Sequence, residues 1–530
     1  MKKTYLNKSI INKAAFLGFL GLVLLTASCS KKYTELNPLN SLSEGTAFQN
    51  AASIELVMNG VYEQAGIGTY NGSALGSGRG YPFGAASIEQ GEMRGEDMVN
   101  LASFYLITYQ ATYTTVSANN VNHWQNLYTL INQANVLIAG VEKSAASGTI
   151  TAAVANSYEA EARFLRALAH HELLIHFCRP YADGSGSQPG VPYRDTPINT
   201  PAAVQAAILV HLGTVAEDYT KILADLDYAE ANLPETQTAG FSRATKGAAI
   251  ALKTRIDLHK GDWAGVIAEG AKLGATGTGP YSSPIGGYKL ESSPDAPFAN
   301  FSSNSESIFS IANSAASNPS VNGALASMFA ATDISGRALV SISPNLYNAS
   351  FWPQGDKRKT LLVTVSAQTG VAYTDKYRLT STFADWTPIM RYAEVLLNVA
   401  EAAQRTGNAA TAFSLLNAVR NRSVPAASVY TSAPSDLLLA ILNERRIEFS
   451  AEGRRWPDLH RLALDPVYGK GGIPAKLTAD QGKAAVSDGV TLYTPLQPAI
   501  PYANYRFLWP IPTSETNSNP TLAAEQNPGY

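Results

Sequence analysis

The chain has 530 residues, 40 basic and 42 acidic side chains, a formal net charge of −2 and 15% charged residues. That near-neutral balance excludes the basic footprint of a nucleic-acid-binding protein and a polybasic membrane patch. Two cysteines in so long a chain provide no disulfide framework, so the fold depends on its apolar core.

The N-terminus opens with Lys2, Lys3, Lys8 and Lys13, followed by an apolar run from Ala14 to Leu25. The run is too short to span a bilayer comfortably, and no second one follows, so residues 1–28 are expected to be a signal peptide. Thr26, Ala27 and Ser28 lead directly to Cys29. A cysteine placed after small residues resembles a bacterial lipobox, in which the thiol is lipidated and becomes the mature first residue; the alternative is a plain secretory signal with an incidental cysteine. The polar stretch over 29–47, which includes Pro38, suits a flexible leash.

An amphipathic helix is expected from Phe48 to Gln64. The stretch from Gly66 to Gly84 then carries seven glycines among Tyr70, Arg79, Tyr81 and Phe83. Its glycines do not fit a dinucleotide loop, and no apolar strand leads into it. From His123 apolar residues recur at three- and four-residue steps, giving a long helix, and a second follows from Ser157 to Phe177. Cys178, beside that run, reads as a buried small hydrophobe. Leu212 to Leu233 and Ala244 to His259 form another pair, ended by Gly261–Asp262–Trp263. A further pair runs from Ile389 to Gln404 and from Ala409 to Asn421, about 34 residues in all, the period of a tetratricopeptide repeat. Hairpins of this kind cannot bury their apolar faces alone and stack against neighbours.

Over 265–385 Gly, Ser, Pro, Asn and Thr dominate, which predicts loops, short helices and a small hairpin inserted between helix pairs. The fold class expected is therefore mainly α: a tetratricopeptide-like stack of helical hairpins with an irregular insert carrying short strands, in one compact domain. Its repeat core would cover about 48–263 and 386–462, and a closing segment 463–530.

Little in the chain points to catalysis. His171 and His176 are five residues apart, which turns the second ring roughly 140° from the first at about 100° per residue, so a zincin pair is not formed. No serine has glycine two before and two after it, and there is no P-loop. No cofactor is implied. Glu89, Glu92, Glu96 and Asp97 are carboxylates near the Gly-rich stretch that a glycosidase would have to draw on. Aromatic residues in Gly- and Ser-rich loops instead fit glycan binding, because a flat ring with a polar edge stacks on the C–H face of a sugar. Tyr70, Arg79, Tyr81 and Phe83 are the first candidates and Tyr281 and Tyr288 the second, the alternative for each being a loop-packing aromatic.

The most specific run lies from Leu437 to Leu462. Glu444, Glu448 and Glu452 recur every fourth residue beside Arg445, Arg446, Arg454 and Arg455, with Gly453 as a helix stop. Arginines at this density hold the acids ionised, which suits a scaffold and not general acid catalysis. E-R-R-x-E followed by E-G-R-R-W-x-D-L, through Trp456, Asp458 and Leu459, resembles the signature of the SusD/RagB family of outer-membrane nutrient-binding lipoproteins. Phe164–Leu165–Arg166–Ala167, Arg391–Tyr392–Ala393–Glu394 and Trp509–Pro510–Ile511–Pro512 match further family elements.

The resemblance implies a non-catalytic protein, lipid-anchored through Cys29 to the outer membrane and facing outside. It would bind an oligosaccharide or polysaccharide and cap a SusC-like TonB-dependent transporter, with its helical repeats toward the transporter and its loops toward ligand. Alternatives are a peptide-binding member of the family and a secreted helical-repeat scaffold that recruits proteins.

Overall fold

The computed structural model describes residues 44–72 and 78–530. The expected signal peptide, Cys29 and most of the leash lie outside the described residues.

The principal helices are α1 (Ala51–Gly66), α2 (Ala86–Met93), α3 (Ala118–Ala146), α4 (Ala152–Phe177), α5 (Val215–Asn232), α6 (Lys246–Lys260), α7 (Trp263–Lys272), α8 (Tyr392–Arg405), α9 (Ala409–Arg420), α10 (Leu437–Glu448) and α11 (Arg455–Arg461). Their starts follow from side-chain caps: Asn50, Thr151, Thr214, Thr245, Asp262, Asn408 and Asp436 each accept a backbone N–H of the first turn. The helices stack in chain order. α3 pairs with α4, α4 with α5, α5 with α6, α6 with α7, α7 with α8 and α8 with α9, while α10 lies across α8 and α9. This is the tetratricopeptide-like stack that the apolar periodicity and the 34-residue hairpin predict.

Short antiparallel pairs supply the rest. β1 (Met98–Asn100) pairs with β3 (Val340–Ile342), β2 (Ser307–Ile311) with β6 (Thr387–Arg391), and β4 (Val363–Val365) with β5 (Ala372–Thr374). One large core runs through the helical stack, and a second, containing Met98, Val340, Phe329, Trp352 and Tyr377, fills the strand-bearing part. The C-terminal segment locks onto α4: the Trp509 amide donates to the His176 carbonyl at 3.0 Å, and Asn527 donates to the carbonyls of Phe177 and Trp509. Cys178 is buried beside it.

Three expectations need correction. The helical pattern does not end at Trp263, because Asp262 caps α7, so the irregular insert begins later. The residues from Thr387 to Arg391 are strand β6, and α8 starts at Tyr392 instead of Ile389. Glu452 is not on the helix with Glu444 and Glu448: α10 stops at Glu448, and Ala451 and Gly453 take positive φ of 62° and 72° in the turn that follows.

Candidate functional site

Four side chains from four segments form a half-buried aromatic and cationic platform. Tyr70 follows α1, and the carboxamides of two α3 asparagines clamp the turn that carries it. The Thr69 amide donates to Asn126 Oδ1 at 2.8 Å, and the Asn71 amide donates to Asn122 Oδ1 at 2.8 Å. Asn126 returns a bond to the Thr69 carbonyl, and Asn122 one to Asn71 Oδ1. The β1–β3 pairing then brings Phe104, which follows β1, beside Arg337, which precedes β3. The Leu101 amide extends the ladder to the Leu339 carbonyl at 2.8 Å.

On this frame the Arg79 guanidinium lies 3.8 Å over the Tyr70 ring and 5.4 Å from Phe104, and Arg337 lies 5.0 Å from Phe104. Arg337 also donates to the Val321 carbonyl and to Asn322 Oδ1. Neither arginine forms a salt bridge among the described residues. Tyr81 supports Tyr70 from below, with centroids 6.3 Å apart and 26° between the planes. Gln90 donates to the Tyr81 hydroxyl at 3.5 Å and accepts from Thr108 at 2.7 Å.

The sequence candidates thus separate. Tyr70 and Arg79 are half-buried at the platform, whereas Tyr81 is 4% exposed and Phe83 2%, the latter inside the large core. Tyr288 is buried with its hydroxyl 2.9 Å from Thr245 at the start of α6. Tyr281 is half-buried, donates to Ser414 on α9 at 2.8 Å and packs on the helical stack. Phe104 and Arg337 were missed, because the contact that makes them a pair spans more than two hundred residues and leaves no local signal.

The acids near the platform are arranged for packing. Burial pushes the Glu89 carboxyl up to about 8, against a hydrogen bond from Tyr105 and the charge of Arg79. Burial also raises Glu92 to about 8, although it accepts the Gly453 amide at 2.7 Å. Both side chains are sealed from solvent, so neither reaches a surface-bound substrate. Glu96 pairs with Arg455, and Asp97 with Arg446.

The charges of the signature run close on one another. Arg391 reaches Glu306, Glu448 and Glu452. Arg358 reaches Asp356, Glu444 and Glu448, and Arg422 reaches Glu306 and Glu448. Burial alone would raise Glu448, but Arg422, Arg391 and Arg358 outweigh it and hold the carboxylate well below its ordinary range.

A further trio escaped sequence reading. His123 on α3 lies 3.3 Å from Glu172 of α4, and His176, one turn on from Glu172, also lies 3.3 Å from it. Their potential ligand atoms fall within 4.8 Å of one another, and all three residues are buried. Arg94 engages one of these rings: its Nη1 lies 3.3 Å from His176 Nδ1, and a guanidinium only donates, so that nitrogen is the acceptor. Burial lowers His176 to about 3, and its neutral ring stacks on Trp509 at 4.4 Å. The trio is a closely packed, buried cluster between α3 and α4.

Two family models match the chain: one described as "SusD family" over residues 353–530, the other as "Starch-binding associating with outer membrane" over residues 80–258. A SusD-like protein P2 of Formosa agariphila is 26% identical, with 97% of this chain and 99% of that protein aligned. Among solved structures, a SusD superfamily protein from Bacteroides fragilis superposes with a TM-score of 0.72 at 25% identity, covering 90% of this chain and 99% of that one. A SusD-like carbohydrate binding protein from Bacteroides vulgatus superposes with a TM-score of 0.70 at 19% identity, covering 89% and 97%. Among the described residues, no helix is long and apolar enough to cross a membrane.

Proposed function

We propose that the chain is a member of the SusD/RagB family and, from that premise, that it is a non-catalytic surface protein that binds an oligosaccharide or polysaccharide for uptake. In this reading residues 1–28 are removed, Cys29 carries the lipid anchor, residues 29–47 are the leash, and the folded body from 48 to 530 works with a SusC-like TonB-dependent transporter. The observation that carries the binding reading is the platform itself: Arg79 over a clamped Tyr70, with Phe104 and Arg337 beside them. The guanidinium groups stacked on these half-exposed rings present a flat cationic surface whose N–H groups meet the hydroxyls of a sugar laid over it. The buried Tyr81, Phe83 and Tyr288 then act as support, and Tyr70 takes first place among the contact residues.

The test is calorimetric titration of the soluble protein against amylose, laminarin, xylan, alginate and a peptide digest. Binding of one polysaccharide, weakened about tenfold or more in Tyr70→Ala with an unchanged melting temperature, supports the reading; about tenfold corresponds to the loss of roughly 1.4 kcal/mol, the scale of one aromatic contact. Binding of the peptide digest alone would make the protein a peptide-binding member of the family. A barrel partner captured without any ligand binding would leave a recruiting scaffold.

A further inference from the structure

Three aromatic rings from three separate segments meet at a second place on the surface. Trp386, just before β6, is half-buried. Phe241 meets it edge-on with centroids 5.5 Å apart and 75° between planes, and Phe301 lies 6.3 Å away at 54°. The indole N–H donates to the Asn313 carbonyl at 3.1 Å, and the Asn313 amide group donates to the Asp385 carbonyl at 2.8 Å. The ring is therefore held in one orientation. None of the three rings belongs to either large core, so their clustering is not part of the packing that holds the fold together.

Beside the rings runs a narrow cleft of about 10 Å³, lined by Phe301, Ser307, Ser310 and Trp386 among others. That space admits one water molecule or one hydroxyl group. Ser307 and Ser310 on β2 are buried residues that line it. A hydroxyl at the wall of a cleft of this size can be matched by water or by a polar group from outside.

One loop, residues 313–323, connects this cluster to the platform at Tyr70. Asn313 holds Trp386 at one end. Midway, Asn318 donates to the Thr382 carbonyl at 3.3 Å. At the other end Asn322 and the Val321 carbonyl hold Arg337, and Gly323 lies so close to the Arg79 backbone that a Cβ there would meet its carbonyl carbon at 2.6 Å. Ten residues reach at most about 35 Å when fully extended, which bounds the separation of the two aromatic surfaces.

We propose that Trp386, with Phe241 and Phe301, is a second stacking subsite for the same glycan chain, and that Ser307 and Ser310 take one of its hydroxyls. The inference rests on the carbohydrate reading above and deepens it: the ligand is a chain long enough to cover both surfaces, and a short fragment engages only one at a time.

The experiment uses the polysaccharide that titrates best in the panel, with fragments of two and of ten sugars, on the wild type, Trp386→Ala and Ser310→Ala. Trp386→Ala should weaken the ten-sugar fragment about tenfold relative to the two-sugar fragment. Ser310→Ala removes only a hydroxyl, and should weaken the long fragment several-fold without moving the melting temperature. The long fragment should also quench tryptophan emission less in Trp386→Phe than in the wild type. Wild-type affinity for the long fragment in both Trp386→Ala and Ser310→Ala overturns the subsite, even if Tyr70→Ala abolishes binding. If Trp386→Ala does not fold, Ser310→Ala decides alone. If the wild type binds no polysaccharide, the carbohydrate reading falls first and the subsite with it.

Discussion

Glu448 is the residue on which the charged interior balances. Its carboxylate lies 2.7 Å from Arg422, 2.9 Å from Arg358 and 3.0 Å from Arg391, and its backbone carbonyl accepts from Lys376. Four cationic side chains therefore share one acidic residue in a region closed to water. Replacing the whole cluster with apolar groups could be neutral, but removing only the acid leaves desolvated guanidinium groups uncompensated. Glu448→Ala should cost about 3–5 kcal/mol, seen as a lower midpoint in urea with an unchanged slope. A loss below about 1 kcal/mol, the level of an exposed pair, would show that the remaining acids absorb the charge. The same reasoning explains why the signature run is structural: Glu444, Glu448, Glu452 and Asp458 are each tied to a cation.

Among the elements, the turn after α10 positions the most. Gly453 has φ of +72°, and a Cβ there would lie 2.6 Å from the Ile88 Cα and 3.0 Å from the Ser87 carbonyl. α2 thus rests directly on this backbone, with Glu92 accepting the Gly453 amide. Gly453→Ala combines left-handed strain with a backbone clash and should destabilise by roughly 2–4 kcal/mol. Faster amide exchange across 86–93 would place the damage in α2; unchanged exchange there would refute the contact.

Much of this level was legible in the sequence. α3 to α6 and α8 to α10 follow from apolar periodicity, and Tyr70 and Arg79 stood out among glycines. α7 was hidden by Gly265 and Gly270, which look like breakers. Gly270 instead lets α7 approach α8 so closely that a Cβ would meet Val399 Cγ2 at 2.2 Å. Phe104, Arg337 and the His123–Glu172–His176 trio depend on contacts between distant segments, which no periodicity encodes.

For the whole molecule, stability should depend on pH through its sealed acids. Glu89 and Glu92 take up their protons near 8 in the fold and near 4.5 in the unfolded chain. Between these values the native state binds more protons, so their contribution is complete below about 4.5 and is lost as pH rises through about 8. Glu89→Gln should therefore match the wild type in melting temperature near pH 5 and exceed it increasingly by pH 8. A difference that stays constant across that range would mean that Glu89 ionises normally in the fold.

At the same scale, α3 spans 29 residues, about 43 Å at 1.5 Å per residue. Asn122 and Asn126 near one end clamp the turn that carries Tyr70. Gly140 and Ser144 near the other meet Phe48, whose carbonyl accepts the Ser144 hydroxyl at 2.9 Å. A pull arriving through the N-terminal segment and a load resting on the Tyr70 turn therefore bear on opposite ends of a single strut.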